Sequence, residues 1–335
     1  LVGPGYLQDV GKVMDKYKDR GIPADFVSLG KLGGGTQLYV PWMQATYFMA
    51  VNKKALPYLP SGADVNALSY EQLIAWGKNI QEKTGKRMIG LPAGNNSLLH
   101  RLLQGYFYPS YTGGLITTYK SSDAEAMWGQ IRELWKVTNP QSTTYAFMQE
   151  PLQSEEVWIG FDHAARLINV LKAKPDEFIA IPAPAGPKGR YYMSVVVGLS
   201  IPKTTANQAG AEGLIDYLLK PETQITTLRE NSFFPVVKVD LPTDLNPGLK
   251  LEAGAVAKQA SAKDAKVVPL PVGLGAKGGD LNKAMVDTFS RIVVKNEDIK
   301  TVLAEQAVLI QKAITDANAK CWGPDGVSTG PCQVK

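Results

Sequence analysis

Asp162, His163 and Arg166 stand close together and put a carboxylate, an imidazole and a guanidinium at one place in the chain. Such a trio can cap a helix, pair across one helical turn, or hold the hydroxyls of a polar solute through charge-assisted hydrogen bonds. Residues 157–161 before them are apolar and strand-like, and residues 164–172 after them have helical spacing. Asp162 is therefore expected at a strand end beside a helix N-terminus, as a cap paired with Arg166, as a ligand contact, or as both. His163, one of only two histidines in the chain, is expected to project from the first turn as a site residue. The other, His100, lies one turn from Gln104 and shares its face, a solvated face by default and a ligand contact otherwise. Trp42, Gln44 and Tyr47 combine flat apolar rings with a planar amide, the pairing that a polyhydroxylated solute needs for its C–H faces and its hydroxyls. Successive strand residues point to opposite faces, so these three cannot all point one way. Tyr191 and Tyr192 adjoin a strand, which should turn one of them toward the site, and Phe233 precedes Pro235 in a loop.

Other chemistries lack their signatures. There is no Gly-x-Ser-x-Gly elbow, no His-Glu-x-x-His and no dinucleotide fingerprint. The glycine-rich stretch 273–279 could cradle an anion, but no Gly-Lys-Ser/Thr follows it, so it is not a Walker loop. Two distant histidines and two cysteines near the C-terminus do not make a zinc set. No cofactor is implied. The net charge of +5 is spread over 335 residues with no basic stripe interleaved with aromatics, which argues against a nucleic-acid partner. No apolar run has membrane-spanning length. Cys321 and Cys332 bracket a Pro/Gly-rich loop whose ends meet easily, so a disulfide pinning the tail, and with it an oxidising compartment, is expected over two free thiols.

Short apolar runs alternate with amphipathic helices, which reads as α/β in a chain long enough for two domains. Strands are expected at 38–42, 46–51, 87–92, 157–161 and 178–182, with a run buried on both faces at 192–201. Ser69 and Gln72 have capping-box spacing ahead of a helix carrying Leu73, Trp76 and Ile80. Further helices are expected over 98–111, 123–137 and 209–219, and from Pro221 to 230. Asp280 should cap a helix presenting Leu281, Met285 and Phe289, and 299–314 should be the last long helix.

Five segments in order resemble the extracellular solute-binding proteins of carbohydrate ABC importers, the maltose-binding-protein-like family. They are 38–42 leading into 47–53, Ser69-Tyr70-Glu71-Gln72-Leu73, and Glu156-Val157-Trp158-Ile159-Gly160-Phe161-Asp162. Gly198-Leu199-Ser200-Ile201-Pro202-Lys203 is the fourth, and 218–224 followed by Phe233-Phe234-Pro235 is the fifth. The resemblance implies a two-lobed periplasmic-binding-protein type II fold, each lobe a mixed sheet flanked by helices and joined by hinges near 46–52, 193–199 and 236–242. Lobe 1 would comprise 1–49 and 199–238, and lobe 2 would comprise 52–195 and 242–335 with the C-terminal helices and tail. It also implies a monomer that takes a mono- or oligosaccharide between its lobes and delivers it to the membrane permease subunits of an ABC importer. Trp42, Gln44, Tyr47, His100, Asp162, His163, Arg166, Tyr191, Tyr192 and Phe233 are the expected contacts.

Such a protein works in the periplasm or outside the cell, after loss of a signal peptide and with or without a lipid anchor. The chain departs from the family at three places. An opening strand–helix–strand portion is missing before Leu1, His163 and Ala165 replace a glycine and an aromatic, and Val195 to Val197 replace glycines and a tryptophan. Two rivals follow from the residues. A ferric ion would suit the phenol oxygens of Tyr191 and Tyr192. A pair of carboxylates with the spacing needed for glycoside hydrolysis would make a glycan-acting enzyme.

Overall fold

Short apolar runs on either side of residue 46 become two successive strands, and these strands organise two separate sheets. The computed structural model describes residues 5–335. The chain divides into two compact units, Leu1–Ala45 with Ser194–Asn246, and Thr46–Met193 with Pro247–Lys335. It passes from one to the other after Ala45, after Met193 and after Asn246.

Numbered in chain order, the strands are β1 (Val40–Ala45), β2 (Tyr47–Asn52), β3 (Ile89–Gly90), β4 (Ile159–His163) and β5 (Phe178–Ile181). They continue with β6 (Arg190–Met193), β7 (Val195–Leu199), β8 (Phe234–Pro235) and β9 (Ala265–Val268). In the first unit β1 lies between β7 and β8, antiparallel to both, with a register shift between Pro41 and Met43. Its helices pack Val13, Met14, Tyr17, Ile215 and Leu219 around Val40 and Ile201. The second unit carries a sheet in the order β3-β4-β2-β5, parallel between β3 and β4 and antiparallel elsewhere, and a separate parallel pair, β6 with β9. This is a mixed α/β architecture, as the alternation in the sequence requires.

Every residue of β2 is buried, because strands flank it on both edges and helices cover its faces. Gly90 and Gly160 are register partners, and a Cβ on Gly90 would sit 2.3 Å from the Met148 side chain. The missing side chain lets residues 148–153 close over the sheet. The helix Tyr70–Thr84 starts with the expected reciprocal cap: Gln72 N–H donates to Ser69 Oγ at 3.2 Å, and Ser69 N–H donates to Gln72 Oε1 at 3.0 Å. Pro221 occupies the first turn of the helix Pro221–Asn231.

Several expectations are corrected. The 192–201 run breaks at Ser194 into β6 and β7, and β7 is half-buried along its length because it forms one edge of its sheet. Asp280 lies inside the helix Gly278–Phe289, where it pairs with Lys277 at 3.3 Å, and does not cap it. The 157–161 strand begins two residues later, so Asp162 is within β4 and not at its end. Behind it comes a tight turn, Ala164–Arg166, before the helix Ile168–Ala173.

The helix expected over 98–111 runs from Leu99 to Thr112, with a wider π turn at Leu103–Phe107. The last helix, Ile299–Asp316, is capped by Asp298, whose carboxylate accepts from Thr301 N–H at 2.9 Å. Cys321 and Cys332 form a disulfide. The loop it closes carries Asp325, whose carboxylate accepts from the backbone N–H groups of Leu115, Ile116 and Thr117 and from the Thr117 hydroxyl at 2.6–3.1 Å.

Candidate functional site

In the second unit, β2 and β4 bring Tyr47 opposite His163 in the antiparallel register. The ring of Tyr47 meets His163 edge-on at 5.0 Å between centroids, and meets Tyr106 edge-on at 5.5 Å. Tyr106 comes from the π turn, a widening often found at functional sites, which here delivers its hydroxyl to the start of β2. That oxygen accepts from Tyr47 N–H at 3.0 Å and lies 3.2 Å from the Thr46 hydroxyl, which itself donates to the Met193 carbonyl at 2.8 Å. Tyr47 thus sits on a platform fixed by hydrogen bonds. Burial, reinforced by Tyr106, pushes its phenol far above the ordinary range.

The Asp162 side chain is 0% exposed and lies beneath this platform. One oxygen accepts from its neighbour His163 N–H at 2.7 Å and the other from Met148 N–H at 3.1 Å. Burial raises its pKa to about 7 against these two N–H donors and Arg166. The expected cap is therefore made by a different residue: the His163 ring nitrogen Nδ1 accepts from Ala165 N–H at 3.2 Å. Arg166 donates to the carbonyls of Ala146 at 3.0 Å and Asn96 at 3.3 Å, with its guanidinium 4.3 Å over the Phe147 ring. Phe147 keeps 39% of its surface exposed, so the stacked pair forms a half-open plate of ring and cation.

His100 and Arg101 come from the helix that leads into the π turn. Burial, then the charges of Arg101 and Arg166, hold His100 down at about 4. Burial and Arg166 hold His163 down at about 4 as well. Both imidazoles are thus neutral at pH 7, each with one donor and one acceptor nitrogen. Arg101 donates to Gln104 Oε1 at 3.1 Å, and the buried Gln104 in turn donates to Asn282 Oδ1 at 2.9 Å. Gln104, expected to share a solvated face with His100, is instead a buried support for Arg101.

The tyrosine pair divides. Tyr191 is buried under the Lys266 ammonium, 5.2 Å from its ring centroid. Tyr192 is half-buried, and burial raises its phenol above the ordinary range. Neighbours on β6 face opposite ways, so the two phenols do not converge on one ion. Among the described residues no group of three or more His, Cys, Asp or Glu is placed to hold a metal.

In the first unit, Trp42 and Gln44 are two apart on β1 and occupy its half-buried side, while Val40, Met43 and Ala45 are buried. Gln44 donates to the Pro235 carbonyl at 3.0 Å, and the Trp42 indole N–H has no hydrogen-bond partner among the described residues. Phe233 is half-buried just before β8.

The structure thus brings Tyr47, His100, Asp162, His163 and Arg166 together on the second unit, and Trp42 and Gln44 together on the first. Sequence reasoning missed Phe147, whose only signal was an aromatic in a polar, turn-rich stretch. It also passed over Arg101, because nothing in the sequence separates a half-buried arginine from a solvated one.

The profile of one family, described as bacterial extracellular solute-binding protein, matches residues 1–225. No curated protein matches the chain. Solved structures share the fold. One is the GacH receptor of Streptomyces glaucescens GLA.O, solved unliganded and with acarbose, at 19% identity and a TM-score of 0.72, covering 94% of this chain and 80% of that one. Maltose-bound MalE3 of T. maritima follows at 17% identity and a TM-score of 0.72, covering 90% and 79%. UgpB from Mycobacterium tuberculosis, in complex with glycerophosphocholine, has 15% identity and a TM-score of 0.71, covering 92% and 79%.

Proposed function

The chain belongs to the bacterial extracellular solute-binding protein family, and from that premise we propose that it captures a sugar or oligosaccharide and hands it to the permease subunits of an ABC importer. The observation that carries the reading is the family match over residues 1–225. The sugar assignment draws support from the fold shared with receptors solved with acarbose and maltose. The site chemistry agrees with it. The Phe147–Arg166 plate offers a ring face for pyranose C–H groups, and the neutral imidazole of His100 offers a donor and an acceptor nitrogen suited to hydroxyls.

The protein works outside the cytoplasmic membrane, in the periplasm or at the cell surface, where the Cys321–Cys332 disulfide persists. It acts as a monomer without a cofactor, and the solute leaves chemically unchanged. Bound ligand shifts a pre-existing equilibrium between conformations.

A thermal-shift screen across mono-, di- and trisaccharides, polyols and phosphorylated polyols tests the reading. A ligand held at 100 times its Kd stabilises by about 2.7 kcal/mol and raises Tm by several degrees. A screen in which no compound moves Tm would refute it.

A further inference from the structure

Two guanidiniums in the candidate site have no carboxylate within ion-pairing distance among the described residues. Arg20, Arg190, Arg229 and Arg291 each pair with an Asp or Glu at 2.6–3.6 Å. Arg87, Arg101, Arg132 and Arg166 make no such pair among the described residues, and of these Arg101 and Arg166 belong to the candidate site, whereas Arg132 is spent on the carbonyls of Ile292 and Glu297. Arg101 is half-buried, and its one hydrogen-bond acceptor is the neutral amide of Gln104. Arg166 directs its donors to two backbone carbonyls. Arg166 reaches the Asn96 carbonyl at 3.3 Å, three residues before the helix that carries Arg101, and that helix leads on to Tyr106, which anchors Tyr47 beside His163; the two cations thus share one locus. Asp162 is the carboxylate that Arg166 influences, but its oxygens are committed to two backbone N–H groups and it is sealed from solvent. Withdrawing a cation from water without an anion costs free energy.

Resting on the capture reading above, we propose that the solute carries an oxyanion, a phosphate ester or a carboxylate on a sugar or polyol frame, and that Arg101 and Arg166 are its counter-charges. Guanidinium suits either group through paired N–H donors. Gln104, itself anchored on Asn282, fixes the Arg101 fork, and Phe147 fixes the plane of Arg166. The neutral His100 then serves a hydroxyl of the frame. The exposed ring of Phe147 takes its apolar edge.

Isothermal titration of the full, disulfide-intact chain at pH 7 decides the matter, with each anionic probe matched to a neutral one. Glycerol 3-phosphate and glycerophosphocholine are set against glycerol, and trigalacturonate against maltotriose and laminaribiose. The expected result is that an anionic probe binds roughly tenfold or more tighter than its neutral counterpart. R101Q and R166Q each weaken the anionic probe more than its neutral counterpart, so that the ratio of the two affinities falls toward one. The arm that responds, phosphate or carboxylate, identifies the group. The Tm of unliganded R101Q is expected to equal or exceed that of the wild type, because the variant relieves an unpaired charge; an arginine retained for structure would lower it.

If neutral sugars bind and neither substitution matters, the inference is overturned while solute capture stands. It is overturned in the same way if R101Q melts several degrees below wild type and the anionic advantage survives in R166Q. If no probe of either class binds, the capture of sugars and polyols fails together with the inference.

Discussion

Replacing Glu252 with methionine or glutamine should stabilise the protein, and by an amount that depends on pH. Glu252 lies on the helix Pro247–Ser261, whose start packs so closely on the helix Ile168–Ala173 that a Cβ on Gly248 would meet the Leu171 backbone at 2.5 Å. The carboxyl is 0% exposed, and neither oxygen has a hydrogen-bond partner among the described residues. Burial lifts its pKa from 4.5 to about 8, against the weaker attraction of Lys172. A raised folded-state pKa means that the native chain holds this proton more tightly than the unfolded chain does. The associated stability is fully present below the ordinary carboxyl range and is lost as pH rises through about 8.

At about 1.4 kcal/mol per pH unit, the raised pKa costs roughly 3 kcal/mol of stability by pH 7, because the unfolded chain ionises there while the buried carboxyl keeps its proton. Glu252→Gln is isosteric and does not titrate, so it isolates that pH-dependent part. Glu252→Met also removes the unpaired polar atoms and should gain a further ~1 kcal/mol at every pH. Scanning calorimetry between pH 4 and 8 is the assay. For a domain of this size the gain at pH 7 is about 6–12 °C in Tm, shrinking toward zero for the glutamine variant near pH 4. A gap between wild type and glutamine variant that is the same at pH 4 and pH 8 would refute the reasoning.

Three further outcomes are expected. Asp325→Ala removes the acceptor for three backbone N–H groups and one hydroxyl, so it should cost about 2–3 kcal/mol and speed amide hydrogen exchange at residues 115–117. Reducing the Cys321–Cys332 bond should have the same local exchange signature, with a loss of roughly 2–3 kcal/mol. Tyr106→Phe deletes the hydroxyl that joins Thr46 to the Tyr47 backbone and should lower stability by about 1–2 kcal/mol in urea titrations, with m unchanged.

His100 and His163, both held at about 4, have lowered pKa values; their contribution is complete above the ordinary 6.5 and is lost as pH falls toward 4. Asp162 and Glu252 act with the opposite sign over part of the same window. The acid loss should therefore be steeper in Glu252→Gln than in wild type, as calorimetry at pH 5 against pH 7 can measure.

The helical and strand elements were legible where local chemistry dictates them. Ser69 with Gln72 fixes a helix start, Pro221 fits a first turn, and the short continuous β-prone run before residue 52 reads as a strand. Elements whose stability comes from distant partners were not legible. β9 is a four-residue strand with two exposed positions, held by its parallel partner β6. The helix Pro247–Ser261 buries Glu252 and Gln259, so its inner face shows no apolar period. Gln259 donates to the Tyr47 carbonyl at 3.2 Å and accepts from Ala183 N–H at 2.8 Å, partners far away in the chain.

The same limit applies at the candidate site. The cluster around residue 162 declared itself through residue types, but Asp162 read as a helix cap when its strand in fact carries it into the interior. Arg101 and Phe147 acquire meaning only from what surrounds them, the first from the amide of Gln104 in place of a carboxylate among the described residues and the second from the cation stacked on it.

The central claim is reversible capture of one small polar molecule without chemical change. Native mass spectrometry tests it most directly, on full chain incubated with a mixture of oligosaccharides, sugar phosphates and polyols and then desalted. The account predicts a single adduct per chain, whose mass on release equals that of a compound in the mixture. A chain that emerges bare from every mixture, or that leaves cleavage products in solution, would contradict it.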